Sequence, residues 1–170
     1  MCSGKTTLGK ALATRLNVDF IDLDEYIEHR AGCTISEIFA TDGEDAFRRL
    51  ESDSLAQVIE RYGDHTVVVA LGGGTPCRPG VMERLNEVGV TVHLDVPVWR
   101  FVERLVEGAS KRPLVAGKSK DKLADYVKSM LDLRNPYYSQ ALLRFDASQL
   151  ETAEQVKKSA ELLQDILKQI

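Results

Sequence analysis

Along the chain, short apolar runs rich in β-branched residues alternate with longer stretches in which apolar side chains recur every three or four positions. Leu8, Ala11, Leu12 and Leu16 keep helical spacing until Asn17, which predicts a helix over 6–16. A short strand is expected at 20–23 and a short helix at 24–31. After Gly32, Thr34 with Glu37 three residues on forms a capping-box signature for another short helix. Phe47, Leu50, Leu55, Val58 and Ile59 favour one stripe of a helix over 44–62, closed by Gly63. Residues 66–71 are a continuous apolar run that stops at Gly72-Gly73-Gly74, which suits a strand covered on both faces. Helix 79–87, strand 90–94 and helix 96–106 follow, and a glycine- and lysine-containing loop occupies 109–120. The last elements are a helix over 122–133, a new helix started by Pro136, a short strand at 143–146 and a terminal helix over 153–170. Strands alternating with helices indicate an α/β fold, a parallel sheet with helices on both faces.

Composition narrows the class. The 170 residues suit one domain, and 44% apolar with 28% charged residues is ordinary for a globular protein, which excludes disordered and collagen-like chains. No apolar run approaches the ~20 residues needed to cross a bilayer, and no basic-then-apolar leader opens the chain, so a cytoplasmic location is expected, without membrane partners. Lys and Arg number 22 against 26 Asp and Glu, a net charge of −4, which argues against nucleic acid as the main partner and leaves a small bound anion open. Cys2, Cys33 and Cys77 are odd in number and widely spaced, so they are expected to be free thiols.

The strongest chemical signal is Met1-Cys2-Ser3-Gly4-Lys5-Thr6-Thr7, which reads as the end of a phosphate-binding loop. Glycine admits a phosphate close to the backbone, the first helical turn offers N–H groups, Lys5 brings charge and Thr6 a magnesium ligand. The full pattern, G-x-x-x-x-G-K-[ST], places its first glycine ahead of Met1. A buried strand normally precedes such a loop, so roughly ten further residues are expected there.

Phosphoryl transfer also needs an acid near the metal. Asp22 and Asp24 follow the strand expected at 20–23, and an extended chain would send both to one side. Asp24 has a second reading as the N-cap of the next helix, and Asp95 is read as a cap. Gly72, Gly73 and Gly74 let backbone N–H groups touch a ligand. Arg48, Arg112 and Arg134 are candidates for forked hydrogen bonds to a carboxylate or phosphate, with a solvated role as the alternative; Arg49, Arg61 and Arg104 are read as solvated surface. His29, His65 and His93 lack ligand spacing and are read as structural, and Trp99, Tyr137 and Tyr138 are read as core. Cys2 has two readings, an inert small residue or a thiolate favoured by the helix terminus and Lys5.

Gly4-Lys5-Thr6-Thr7, Phe20-Ile21-Asp22-Leu23-Asp24, Ile38-Phe39, Asp42-Gly43-Glu44, Phe47-Arg48 with Glu51, Gly72-Gly73-Gly74, Arg112-Pro113-Leu114 and Arg134-Asn135-Pro136-Tyr137-Tyr138 with Ala141 make an ordered set spanning nearly the whole chain. In this combination the chain resembles the shikimate kinases. The resemblance implies a nucleoside-monophosphate-kinase-like P-loop domain, a three-layer sandwich lacking its first strand here, with a substrate-binding region near 24–61 and a lid near 108–120. It implies ATP and Mg2+ as cofactors, shikimate as the substrate, phosphorylated on its 3-hydroxyl in chorismate biosynthesis, and a monomer. Lys5, Asp24 and Arg112 would be catalytic, and Cys2 to Thr7 with Arg112 would bind the nucleotide. Thr6 and Asp22 would hold the metal, and Asp24, Arg48, Gly72, Gly73, Gly74 and Arg134 would bind the substrate, the two arginines gripping its carboxylate. Glu51, one turn from Arg48, would orient that guanidinium. Two departures touch adenine recognition: residues 106–111 hold no arginine, and Ser148-Gln149 stand where one often borders the base. Rival readings are a P-loop kinase for gluconate or a nucleotide, and a catalytically silent ligand-binding relative.

Overall fold

The computed structural model describes residues 2–107 and 119–170. The order is α1 (Lys5–Leu16), β1 (Asp19–Asp22), α2 (Leu23–Ala31), α3 (Ile35–Thr41), α4 (Gly43–Tyr62), β2 (Val67–Ala70), α5 (Val81–Val88), β3 (Val92–Asp95), α6 (Val98–Glu107), α7 (Lys120–Tyr138), β4 (Leu143–Asp146) and α8 (Ala153–Leu167). Residues 109–118 of the expected loop, most of the lid and Arg112 lie outside the described residues; of the loop's last two positions, Ser119 caps α7 and Lys120 opens it.

All described strand pairing is parallel, in two ladders. β1 pairs with β2 in the register Asp19 to Val67 through Asp22 to Ala70, and β3 pairs with β4 from Val92 with Leu143 to Asp95 with Asp146. Side chains alternate across β2, so Val68 packs on one core and Val69 on another. The first core joins Leu8 and Leu12 of α1, Phe101 and Leu105 of α6, Leu123 and Val127 of α7, and Ala160 and Leu163 of α8; Val92 and Leu94 of β3 border it. The second joins Leu23 and Ile27 of α2, Phe47, Leu55 and Val58 of α4, and Met82 and Leu85 of α5. Helices thus cover both faces of β2, the α/β arrangement that the alternating pattern predicts.

Local chemistry sets the ends of these elements. Thr34 and Glu37 form the expected capping box, and Thr152 and Gln155 form a second one at α8. Three readings need correction. Asp22, not Asp24, is the N-cap of α2: its carboxylate accepts the Asp24 N–H at 3.1 Å, so β1 ends one residue before the helix begins. Asp95 bonds Arg144 at 2.7 Å rather than capping α6. Pro136 starts no new helix; it lies inside the last turn of α7, where its missing N–H costs one bond and Ser139 N–H still reaches the Asn135 carbonyl at 2.9 Å.

Candidate active site

The phosphate loop opens the site. Gly4 is the N-cap of α1 at φ 90°, a left-handed conformation suited to glycine, and no side chain caps the helix. A Cβ on Gly4 would run into Leu150. The first bond inside the turn runs from Leu8 N–H to the Gly4 carbonyl at 2.8 Å, which leaves the N–H groups ahead of it without an intrahelical acceptor and suited to an anion. Ser3 is half-buried and Thr7 exposed beside them. Cys2 is half-buried against the first core, and its carbonyl accepts from Arg104 at 3.3 Å.

Lys5 makes no hydrogen bond or ion pair with any described residue. Burial lowers its pKa, while the carboxylates of Asp24 and Asp22 act in the opposite sense. A cation poorly solvated and without a bonded partner has the character of a phosphate ligand. Thr6 donates to Asp22 Oδ2 at 2.7 Å. A hydroxyl and a carboxylate side by side at a phosphate loop fit Mg2+, which takes few protein ligands and completes its shell with water and phosphate oxygens. Among the described residues no cluster of three acidic, His or Cys side chains offers a stronger metal site.

Across from this loop lies the turn after β2. Thr75 N–H closes on the Gly72 carbonyl at 3.1 Å and Cys77 N–H on the Gly74 carbonyl at 3.0 Å. The glycines leave room for the side chains that sit against them. A Cβ on Gly72 would lie 2.9 Å from Asp24 Oδ1, one on Gly73 2.8 Å from Arg134 Nη1, and one on Gly74 3.0 Å from Arg48 Nη2. Three of the expected substrate residues, from α2, α7 and α4, therefore meet over three consecutive glycines.

Each of the three has a distinct setting. Burial raises the pKa of Asp24, Asp22 adds to the rise and Lys5 opposes it. Arg48 spans Glu44 at 3.1 Å and Glu51 at 3.0 Å, the second being the contact that helical spacing predicts. Arg134 has no ion pair to a described carboxylate, so its fork is available for a ligand's. Paired guanidinium groups beside an isolated carboxyl suit a hydroxylated carboxylic acid, held by the arginines and presenting a hydroxyl.

Sequence reading overlooked several contributors. Tyr138, read as core, donates to the Gly73 carbonyl at 2.6 Å. Its position four residues after Arg134 was the available signal, since both lie on one helical face. Arg104, read as solvated, is only 13% exposed and bonds Glu151, the Ala147 carbonyl and the Cys2 carbonyl, pinning the phosphate loop. Trp99, read as core, is 55% exposed, with the Arg100 guanidinium over its ring. Burial raises the pKa of Cys77, whose thiol faces the Gly73 carbonyl at 3.5 Å. His93, taken as structural, is half-buried with its ring centroid 5.0 Å from that of Tyr138, and burial lowers its pKa.

Comparison with known proteins agrees with this geometry. A family model described as shikimate kinase matches residues 1–169. Shikimate kinase from Bacteroides thetaiotaomicron is 44% identical over 167 residues, 98% of this chain and 94% of that one. A crystal structure of shikimate kinase from the same organism superposes with a TM-score of 0.91 at 43% identity, covering 99% of this chain and 94% of the other. Shikimate kinase from Acinetobacter baumannii, solved in complex with shikimate, matches with a TM-score of 0.78 at 30% identity, covering 98% and 88%. With a phosphate loop facing a three-glycine turn that carries Asp24, Arg134 and Arg48, and with matches of this extent, the chain belongs to the shikimate kinase family.

Proposed function

We propose that the protein transfers the γ-phosphoryl group of ATP to the 3-hydroxyl of shikimate. The observation that carries this reading is the convergence of Asp24, Arg134 and Arg48 on Gly72–Gly74, with Lys5 near enough to Asp24 and Arg134 for their charges to act on its pKa.

Arg48 and Arg134 grip the substrate carboxylate, and Gly72–Gly74 form the floor on which the ring lies. Asp24 binds the ring hydroxyls and takes the proton of the one that attacks; burial, which raises its pKa, makes it a stronger base than an ordinary carboxylate. Holding the hydroxyl in line with the phosphoryl group supplies much of the catalysis in this reaction class. Cys2, Ser3, Gly4, Thr6 and Thr7 offer the nucleotide contacts, and Lys5 meets charge developing on the transferring group. Thr6 and Asp22 would hold Mg2+, which when bound neutralises phosphate charge. Arg112, in the lid segment near 108–120, joins the same charge. Closure of that segment would exclude water, which otherwise competes as acceptor.

The reading takes residues 1–170 as a single kinase domain, with the substrate region near 24–61, acting as a monomer on a small molecule without nucleic-acid or membrane partners. No disulfide joins Cys2, Cys33 and Cys77, which fits the cytoplasm. No helix among the described residues is long and apolar enough to cross a membrane.

ADP release measured with ATP and Mg2+ against shikimate, gluconate and nucleoside monophosphates tests the proposal. Turnover confined to shikimate is expected, and its absence overturns the assignment.

A further inference from the structure

We propose that Thr75 is a positioning residue for substrate binding, acting through Glu51 on Arg48. The inference rests on the reading of Arg48 as a ligand of the substrate carboxylate. Thr75 follows the three-glycine turn and is fully buried, as is Glu51, which is 1% exposed. The Thr75 hydroxyl donates to Glu51 Oε1 at 2.7 Å. Glu51 Oε2, the other oxygen, accepts from Arg48 Nη1 at 3.0 Å and stands 3.8 Å from Arg78 Nη2.

The division of the two oxygens is the point. Rotation about the last bond of a glutamate is soft, so a buried carboxylate facing one arginine has no fixed plane of its own. A donor on Oε1 sets that plane, and Oε2 is then fixed as the acceptor that aims the Arg48 fork. The Thr75 backbone N–H closes the turn onto the Gly72 carbonyl at 3.1 Å, so one residue ties the glycine floor, through Glu51, to the Arg48 guanidinium. Arg78, which also donates to the Arg48 carbonyl at 3.4 Å, keeps positive charge on Glu51 when Arg48 turns toward a ligand. Thr75 touches no reacting group in this scheme. It acts as an outer-shell partner does, by orienting a residue that binds.

The test is a double-mutant cycle on the full chain, read by steady-state kinetics. Thr75→Val removes the donor at nearly constant volume and is expected to raise KM for shikimate about fivefold, the worth of one such hydrogen bond, with kcat and KM for ATP within about twofold. Thr75→Ser restores the wild-type value. In an Arg48→Ala background, Thr75→Val adds no further rise, which a general loosening of the fold would not reproduce. An unchanged KM in Thr75→Val, or an equal rise in the Arg48→Ala background, overturns the proposal. Should thermal melts find Thr75→Val unfolded, Thr75→Ala run through the same cycle decides by the same outcomes. Wild-type protein that fails to phosphorylate shikimate overturns the assigned function instead, and an Arg48→Ala variant with normal KM overturns the role given to Arg48.

Discussion

The Tyr138 hydroxyl donates a 2.6 Å hydrogen bond to the carbonyl of Gly73, and this bond moors the end of α7 to the floor of the site. One turn back on the same helix, Arg134 lies against Gly73, so the bond fixes the height of the guanidinium proposed to bind the substrate. Tyr138→Phe is expected to raise KM for shikimate about threefold to tenfold, in line with one lost hydrogen bond, with kcat nearly unchanged. A fall in kcat at constant KM would contradict the mooring role.

Gly73 and Gly74 leave room for arginine heads rather than for backbone. In Gly73→Ala the new methyl would meet Arg134 Nη1 at 2.8 Å, and in Gly74→Ala it would meet Arg48 Nη2 at 3.0 Å. Long side chains can swing aside, so both variants should fold, with Tm within a few degrees of wild type. The displaced fork no longer suits a carboxylate, and KM for shikimate is expected to rise on the order of tenfold. Normal KM in both variants would show that the arginines do not work from these positions.

Arg48 and Arg134 should separate in stability. Arg48→Ala leaves the buried Glu51 carboxylate with the Thr75 hydroxyl and, as its only described countercharge, the more distant Arg78, which is expected to cost about 2–4 kcal/mol of folding free energy besides weakening substrate binding. Arg134 has no ion pair to a described carboxylate, so Arg134→Ala should weaken substrate binding with little loss of stability. Urea denaturation beside substrate titration checks both, and equal destabilisation of the two variants would be the contrary result.

Asp24 carries a pH signature. Burial first and Asp22 second hold its carboxyl above the ordinary carboxylate range. A carboxyl whose pKa is higher in the folded than in the unfolded chain binds its proton more readily when folded. Stability therefore falls as pH rises through the interval between the two values, and the full penalty persists above the folded pKa. Asp24→Asn removes that penalty and should raise Tm at about pH 8 more than at about pH 3, while turnover falls at least about a hundredfold. Asp22→Asn should move the acidic limb of kcat/KM to lower pH, because a neighbouring negative charge is lost. A limb that moves upward would show that another group sets it.

The sequence carried these residues unevenly, for physical reasons. Lys5, Thr6 and the Thr34–Glu37 capping box follow from local spacing, and the structure keeps each of them. Glu51 is one turn from Arg48, so their contact was also legible. Asp22 and Asp24 were brought together by the wrong route: a cap at the strand end, rather than alternation along the strand, sets their relation. Arg104 bonds the Cys2 carbonyl across 102 positions, and no periodicity reports a contact of that range. No local pattern marks Thr75, because its hydroxyl meets a buried carboxylate 24 positions away.

Gly72, Gly73 and Gly74 seat Asp24, Arg134 and Arg48 in turn. Consecutive Cα atoms stand about 3.8 Å apart whatever the surroundings, because the trans peptide fixes that length. The turn therefore serves as a gauge: three side chains delivered by three separate helices meet three seats whose own spacing is set by covalent geometry.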